Sequence, residues 1–208
     1  WHRTTEQYGI DIFLSMNAIL GGFKVCQTGL GAKIHKPSAP KLGPMFLQVV
    51  GTAFLTILNN VHKWKNLDAI QETEMFGLKE MEEAQDLDMD RSAIKKKAVD
   101  GYTEQKTEMN KHLKKETAAE IENMFENDNI DISDDLWIKI VYEMMAAFKP
   151  AKDRAALIES LRPLYFARAL SFMNETWEMS TAEAEEVILA QAKKFNDQRS
   201  YLIDMLTE

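Results

Sequence analysis

The sequence predicts a mainly α-helical chain with a small α/β region at its start. Three observations lead there. Apolar residues recur at helical spacing through most of the 208 residues. One short run, Phe23 to Gln27 around Val25, alternates as a strand does. The helical stretches are bounded by residues that start or stop helices, such as Gly21-Gly22, Ser133, Lys149-Pro150 and Ser180. The expected organisation is an α/β region over 1–62, a connector over 63–90 and an all-helical domain over 91–208.

Thr4 and Thr5 precede a helix from about Gly9 to Leu20, with Ile10, Phe13, Leu14 and Ile19 as its apolar positions. Gly21-Gly22 closes it, because glycine enters the left-handed conformation without a Cβ penalty. The strand follows, then a loop 31–43 holding Gly31, Pro37, Pro40 and Gly43. Pro44 opens a second helix to about Val61; proline suits the first helical turn, where its missing N–H has no bond to make. Trp64 to Asp90 is acidic and poorly patterned, and reads as a connector with a short helix. A long amphipathic helix is expected from about Asp90. Ile94, Ala98, Tyr102, Met109, Leu113, Ile121 and Phe125 form its stripe, and Gly101 is its weak point. Asn127 to Asp131 turns the chain, and Asp131 or Ser133 caps a helix over about 134–148. A helix over 152–177 contains Pro163, which should kink or split it. Ser180 and Glu183 form a capping box for a last helix to about Met205.

This length suits one domain, or one domain plus the remnant of another. The single cysteine, Cys26, has no internal disulfide partner, and the first residues are polar and charged with no secretory signal. The expected location is the cytoplasm, a reducing compartment. The most apolar stretch, Met45 to Leu58, is interrupted by Gln48 and Thr52 and falls short of the roughly 20 residues of a bilayer span. Residues 1–62 carry a net charge of +3 and the remainder −11, within a total of −8. No nucleic acid partner is expected of an acidic chain without an aromatic-basic pattern. Lys33, Lys36 and Lys41 flank His35 in one loop, which suits an anionic small molecule.

Several residues are candidates for chemistry. Asp11 falls in the first turn of its helix, where a carboxylate complements the positive helix end in any protein. In a pocket, it would accept hydrogen bonds from substrate hydroxyls more readily than it would take a proton. His35 alone cannot hold a divalent ion; oxygen ligands are needed, and none stands nearby at ligand spacing. Asp86, Asp88 and Asp90 resemble a calcium loop in outline only. Arg91 and Lys97 stand where such a loop needs glycine and glutamate, so the run reads as a solvated acidic connector. Gly43-Pro44 opens a helix beside three lysines; it reads equally as an ordinary helix entry and as a place where free backbone N–H groups of the first turn receive a carboxylate or phosphate. Arg162, Tyr165, Arg168, Phe172 and Trp177 read as core or interface, and the twelve methionines fit adaptable packing. The sequence has no Gly-rich phosphate loop, nucleophilic serine elbow or Cys-His pair.

Three blocks, taken together, resemble one family. They are Tyr8-Gly9-Ile10-Asp11-Ile12, Leu30-Gly31-Ala32-Lys33-Ile34-His35, and Leu42-Gly43-Pro44-Met45 with Gln48-Val49. Their order and spacing resemble the GT-A glycosyltransferases that make glucosylglycerate or glucosyl-3-phosphoglycerate, with mannosylglycerate synthases as more distant relatives. Residues 161–173, Leu-Arg-Pro-Leu-Tyr-Phe-Ala-Arg-Ala-Leu-Ser-Phe-Met, are similar to the helical tail of such proteins. The resemblance covers 1–62 well and the rest loosely.

It implies that 1–62 is the last piece of a GT-A nucleotide-sugar domain and that a helical C-terminal domain follows, one that pairs subunits into a homodimer. The implied reaction is retaining transfer of glucose or another hexose from a nucleotide sugar to glycerate or 3-phosphoglycerate. Mg²⁺ or Mn²⁺ would neutralise the diphosphate leaving group. His35 would be the metal-ligating histidine and would complete a site with an Asp-x-Asp motif. Asp11 would match the acidic residue at the sugar and acceptor end. The loop carrying Lys33, Lys36 and Gly43 would approach the acceptor. The Asp-x-Asp on an apolar strand and the nucleotide-binding strands are absent from this sequence, so the chain reads as an enzyme's C-terminal portion, inactive alone. Lys36-Pro37-Ser38 replaces the more polar, arginine-bearing loop of phosphoglycerate-using members, which leaves free glycerate open as acceptor. The rival reading is a non-enzymatic helical interaction or dimerisation module. A transferase piece should leave an open cleft with exposed apolar surface; a module should close that surface over.

Overall fold

A computed structural model of the chain describes residues 3–29, 42–67, 73–77 and 90–207. The chain is mainly helical and divides into two compact units, 1–89 and 90–208.

In the first unit a 3-10 turn, Arg3–Glu6, leads into α1 (Ile10–Leu20). Gly22 closes α1 at φ +76°, and the Phe23 N–H reaches back to the Ala18 carbonyl at 3.1 Å. Left-handed glycine at this place satisfies carbonyls that the helix end would leave open. The strand β1 (Cys26–Thr28) is shorter than expected and shifted towards the loop. Next come α2 (Leu42–Asn59) and a single turn, α3 (Val61–Trp64). Helix α2 starts two residues before Pro44, which leaves the proline inside the first turn, where no N–H is missed. The span expected to be a connector with a short helix contributes instead, among its described residues, a strand, β2 (Glu74–Phe76), parallel to β1 in the register Cys26 to Glu74 and Thr28 to Phe76. Parallel strands need a crossover, here one that contains α2. Three residues with no alternation carry too little pattern for β2 to be read from sequence.

The second unit is all-helical among its described residues. The long helix expected from Asp90 is two helices, α4 (Arg91–Met109) and α5 (Lys115–Glu126). Asp90 caps α4 through the Ser92 and Ala93 N–H groups at 2.9 and 3.0 Å. The break at 110–114 folds α5 back on α4: Tyr102 stacks on Phe125 at 3.9 Å, and Lys95 pairs with Asp128 at 2.8 Å. Leu113, inside the break, is itself buried, so the apolar stripe runs through the turn without interruption and conceals it. Next is α6 (Asp134–Phe148), capped by Ser133.

Helix α7 (Arg154–Thr176) contains Pro163 but is not split. Pro163 is buried against Gly101 of α4; a Cβ on Gly101 would lie 2.8 Å from the proline Cγ. The supposed weak point of α4 is where the ring of α7 comes in. The last helix, expected to run to about Met205, is two helices: α8 (Thr181–Asp197), with the capping box of Ser180 and Glu183, and after Gln198 α9 (Arg199–Thr207). Ile132, Ile138, Ile140, Met144, Leu157 and Leu164 are among the side chains fully enclosed in this unit. Each such side chain stabilises the fold by about 1.5–3 kcal/mol.

Candidate functional site

The start of α1 is built from two of the sequence blocks described above. The Tyr8 backbone N–H donates to Gln48 Oε1 at 2.8 Å, and Gln48 Nε2 donates to Gln7 Oε1 at 2.8 Å. Gln48 therefore hydrogen-bonds both main chain and side chain of the segment entering α1. It lies on α2 one turn beyond Pro44, so the Tyr8–Ile12 block and the Leu42–Val49 block are physically one assembly. Thr5 and Gly9 are buried at this junction. At the far end of α1, Lys63 Nζ donates to the Leu20 carbonyl at 2.9 Å.

Asp11 follows in the first turn of α1, with an exposed side chain. The Ser15 hydroxyl bonds the Asp11 main-chain carbonyl at 2.8 Å and leaves the carboxylate to the surface. An exposed carboxylate on a helix start fixed by Gln48 can accept hydrogen bonds from a hydroxylated ligand. Lys33, His35 and Lys36 lie outside the described residues. Gly43 is in the first turn of α2. Among the described residues no three His, Cys, Asp or Glu side chains converge on a point that would hold a metal ion.

Among the described residues α1 packs on α2 and on the 3-10 turn and is only partly covered. Its composition is strongly apolar, yet none of its residues is buried, and Ile19 is 62 % exposed. Phe23, next to β1, is 73 % exposed, and every residue of β1 and β2 is exposed, including Met75 and Phe76. Parallel sheets ordinarily have both faces covered, and a lone strand pair is marginal in water.

The polar clusters of the second unit are of another kind. Asp134 accepts from Arg168 Nη2 at 2.6 Å, Gln191 Nε2 at 2.8 Å and Lys194 Nζ at 2.9 Å. Burial pushes the Asp134 carboxyl up, but those donors and the two cations outweigh it and hold the group below its ordinary range. The buried Glu143 accepts from the Lys114 N–H at 2.8 Å, the Thr117 hydroxyl at 2.7 Å and the Tyr201 hydroxyl at 2.6 Å. Burial, then the bond to Glu143, push the Tyr201 phenol up. Burial alone raises Tyr142, whose hydroxyl donates to the Phe195 carbonyl, to about 12. These carboxylates spend their acceptors on the protein's own donors, and they join α5, α6 and α9, or α6, α7 and α8.

Of the residues around Pro163, Arg168 is buried on Asp134 and the Ile132 carbonyl, and Trp177 is half-exposed under the Arg91 guanidinium at 4.0 Å. The positioning role of Gln48 and the joints at Asp134 and Glu143 were not read from the sequence. A polar residue interrupting the apolar stretch Met45 to Leu58 was the available signal for Gln48. No helix among the described residues is long and apolar enough to cross a membrane. No protein-family model, no curated protein and no solved structure matches the chain.

Proposed function

We propose that the chain is the C-terminal portion of a retaining, nucleotide-sugar-dependent glycosyltransferase that moves glucose or another hexose to glycerate or 3-phosphoglycerate. Three sequence blocks support the reading, and the observation that carries it is the open α/β unit. An apolar helix with no buried residue and a parallel strand pair with no covered face suit an edge of a larger sheet. In this reading a nucleotide-binding half covers that surface. Asp11, placed by Gln48, accepts hydrogen bonds from sugar or acceptor hydroxyls. Lys33, Lys36 and the N–H groups at the start of α2 near Gly43 meet the acceptor carboxylate, where positive charge and free N–H groups favour an anion.

Mg²⁺ or Mn²⁺ would stabilise the leaving diphosphate in the complete enzyme. The described residues offer no ligand set for it, and His35 contributes one imidazole at most. The remaining ligands would come from the other half.

The test is transfer from several nucleotide sugars to glycerate and to 3-phosphoglycerate, by the longer enzyme that the proposal entails, with and without divalent metal. Metal-dependent transfer is expected, and His35→Ala should reduce it sharply. Unchanged activity and metal affinity in that variant would remove His35 from the site. Absence of transfer with every donor and both acceptors would leave the rival reading, a helical interaction module.

A further inference from the structure

The two C-terminal helices are attached differently from those before them. Helix α8 has seventeen residues and buries none, and α9 has nine and buries Leu202 alone. Helix α6 buries eight of fifteen, and α7 ten of twenty-three. A row of hydrogen bonds ties α8 and α9 to α6. Gln191 and Lys194 donate to Asp134 at 2.8 and 2.9 Å, and Gln198 donates to Asp135 at 2.7 Å. The Tyr142 hydroxyl donates to the Phe195 carbonyl, and the Tyr201 hydroxyl to Glu143 at 2.6 Å. Bonds of this kind are exchanged for bonds to water at small net cost, whereas buried apolar area is not.

The buried and half-buried carboxylates at this joint keep other partners. Asp134 also accepts from Arg168 of α7, and Glu143 from the Lys114 N–H and the Thr117 hydroxyl. Departure of α8 and α9 therefore strands neither charge, which is the usual penalty for breaking such a joint. Residues 177–180, which connect α7 to α8, are all exposed. Under the two helices lies an apolar strip of α6. Tyr142 meets the Phe195 ring edge-on with ring centres 5.6 Å apart, and Asp134, Ile138, Tyr142 and Met145 share that side of α6 at helical spacing. Ile138, Tyr142 and Met145 are all buried. We propose that α8 and α9 form a hinged cover that leaves α6 as one unit, turning about residues 177–180, while α4 to α7 stay folded. The closed state hides the strip Ile138, Tyr142 and Met145, and the open state presents it to water. Elements that gate a surface are drawn from the least stable parts of a fold, and a helix pair with one buried side chain is such a part.

The proposal does not rest on the transferase reading, and its test reads no activity. Amide hydrogen exchange of the chain, resolved helix by helix, reports the opening directly. The slowest amides of α8 and α9 should exchange about a hundredfold or more faster than the slowest of α6 and α7. Leu202→Ala, a change in α9, should speed α8 as well as α9 about tenfold or more, because the two open together. Ala98→Gly, at a fully enclosed site in α4, weakens the closed and the open states alike against the unfolded chain. It should therefore speed the slowest amides of α4 and α7 about fivefold and leave α8 and α9 at the wild-type rate. Amides of α8 and α9 as slow as those of α6 would overturn the proposal. So would an Ala98→Gly variant in which every helix accelerates equally, since the unit would then open in a single step. Acceleration of α9 without α8 in Leu202→Ala would overturn it too, because the chain end would then fray alone.

Discussion

Helix α1 and helix α6 start from similar material and end differently. Eight of the eleven residues of α1 are apolar, and none is buried. Helix α6 is apolar to the same degree, at eleven of fifteen residues, yet eight of its residues are buried, Glu143 among them. The contrast extends to the two units that contain them. Residues 90–208 enclose a core and hold polar groups within it through Asp134, Glu143 and Arg168. Residues 1–89 present an exposed strand pair and exposed Leu14, Ile19 and Phe23. Apolar composition measures what a segment can bury; burial records what covers it. A gap between the two is what the proposed contact surface would produce.

Paired truncations should give the widest separation between the units. Ile140→Ala, at a fully enclosed site in α6, should cost about 2–5 kcal/mol in denaturant unfolding, because it removes packed methyl groups and leaves a cavity. Ile19→Ala in α1 should stay within about 0.5 kcal/mol. Equal losses would mean that the outer side of α1 is covered.

A smaller effect is expected at the α4–α7 crossing. Gly101→Ala gains about 1 kcal/mol of helix propensity but drives its methyl into the Pro163 ring, which cannot rotate away. Overpacking costs about 1–3 kcal/mol, so the variant should be less stable by about 1 kcal/mol in thermal unfolding. A gain in stability would show that the two helices do not approach so closely.

An effect of similar size concerns acid. Folding lowers the Asp134 pKa, so its contribution is complete above the unfolded value of about 4 and is lost as pH falls through the folded one. Asp134→Asn should cost about 1–2 kcal/mol at neutral pH, and the difference from wild type should shrink below about pH 4. A difference that stays constant down to pH 2 would show that the charge of Asp134 contributes nothing.

The second unit was the more legible in sequence, and the reason is local. Ser133, Ser180 with Glu183, and Lys149-Pro150 act through bonds to their nearest neighbours, and the structure has the corresponding caps and stop. What was illegible depended on contacts distant in sequence. The turn at 110–114 is concealed by Leu113, which continues the stripe while buried from a non-helical position. Pro163 leaves α7 whole, and its ring is received by Gly101, sixty-two residues earlier. Strand β2 exists only because β1 pairs with it, and its three residues carry no period. At the candidate site, Asp11 falls in the first helical turn as expected, whereas the bonds that make Gln48 its support span about forty residues.

The central claim is that the open face of residues 1–89 is a contact surface for the nucleotide-binding half of a transferase. Amide hydrogen exchange over α1, β1 and β2, compared between this chain and the longer enzyme that the proposal entails, tests it most directly. Rapid exchange of 26–28 and 74–76 in the chain and slowed exchange in the longer protein is the expected result. Equal exchange in both would contradict the claim.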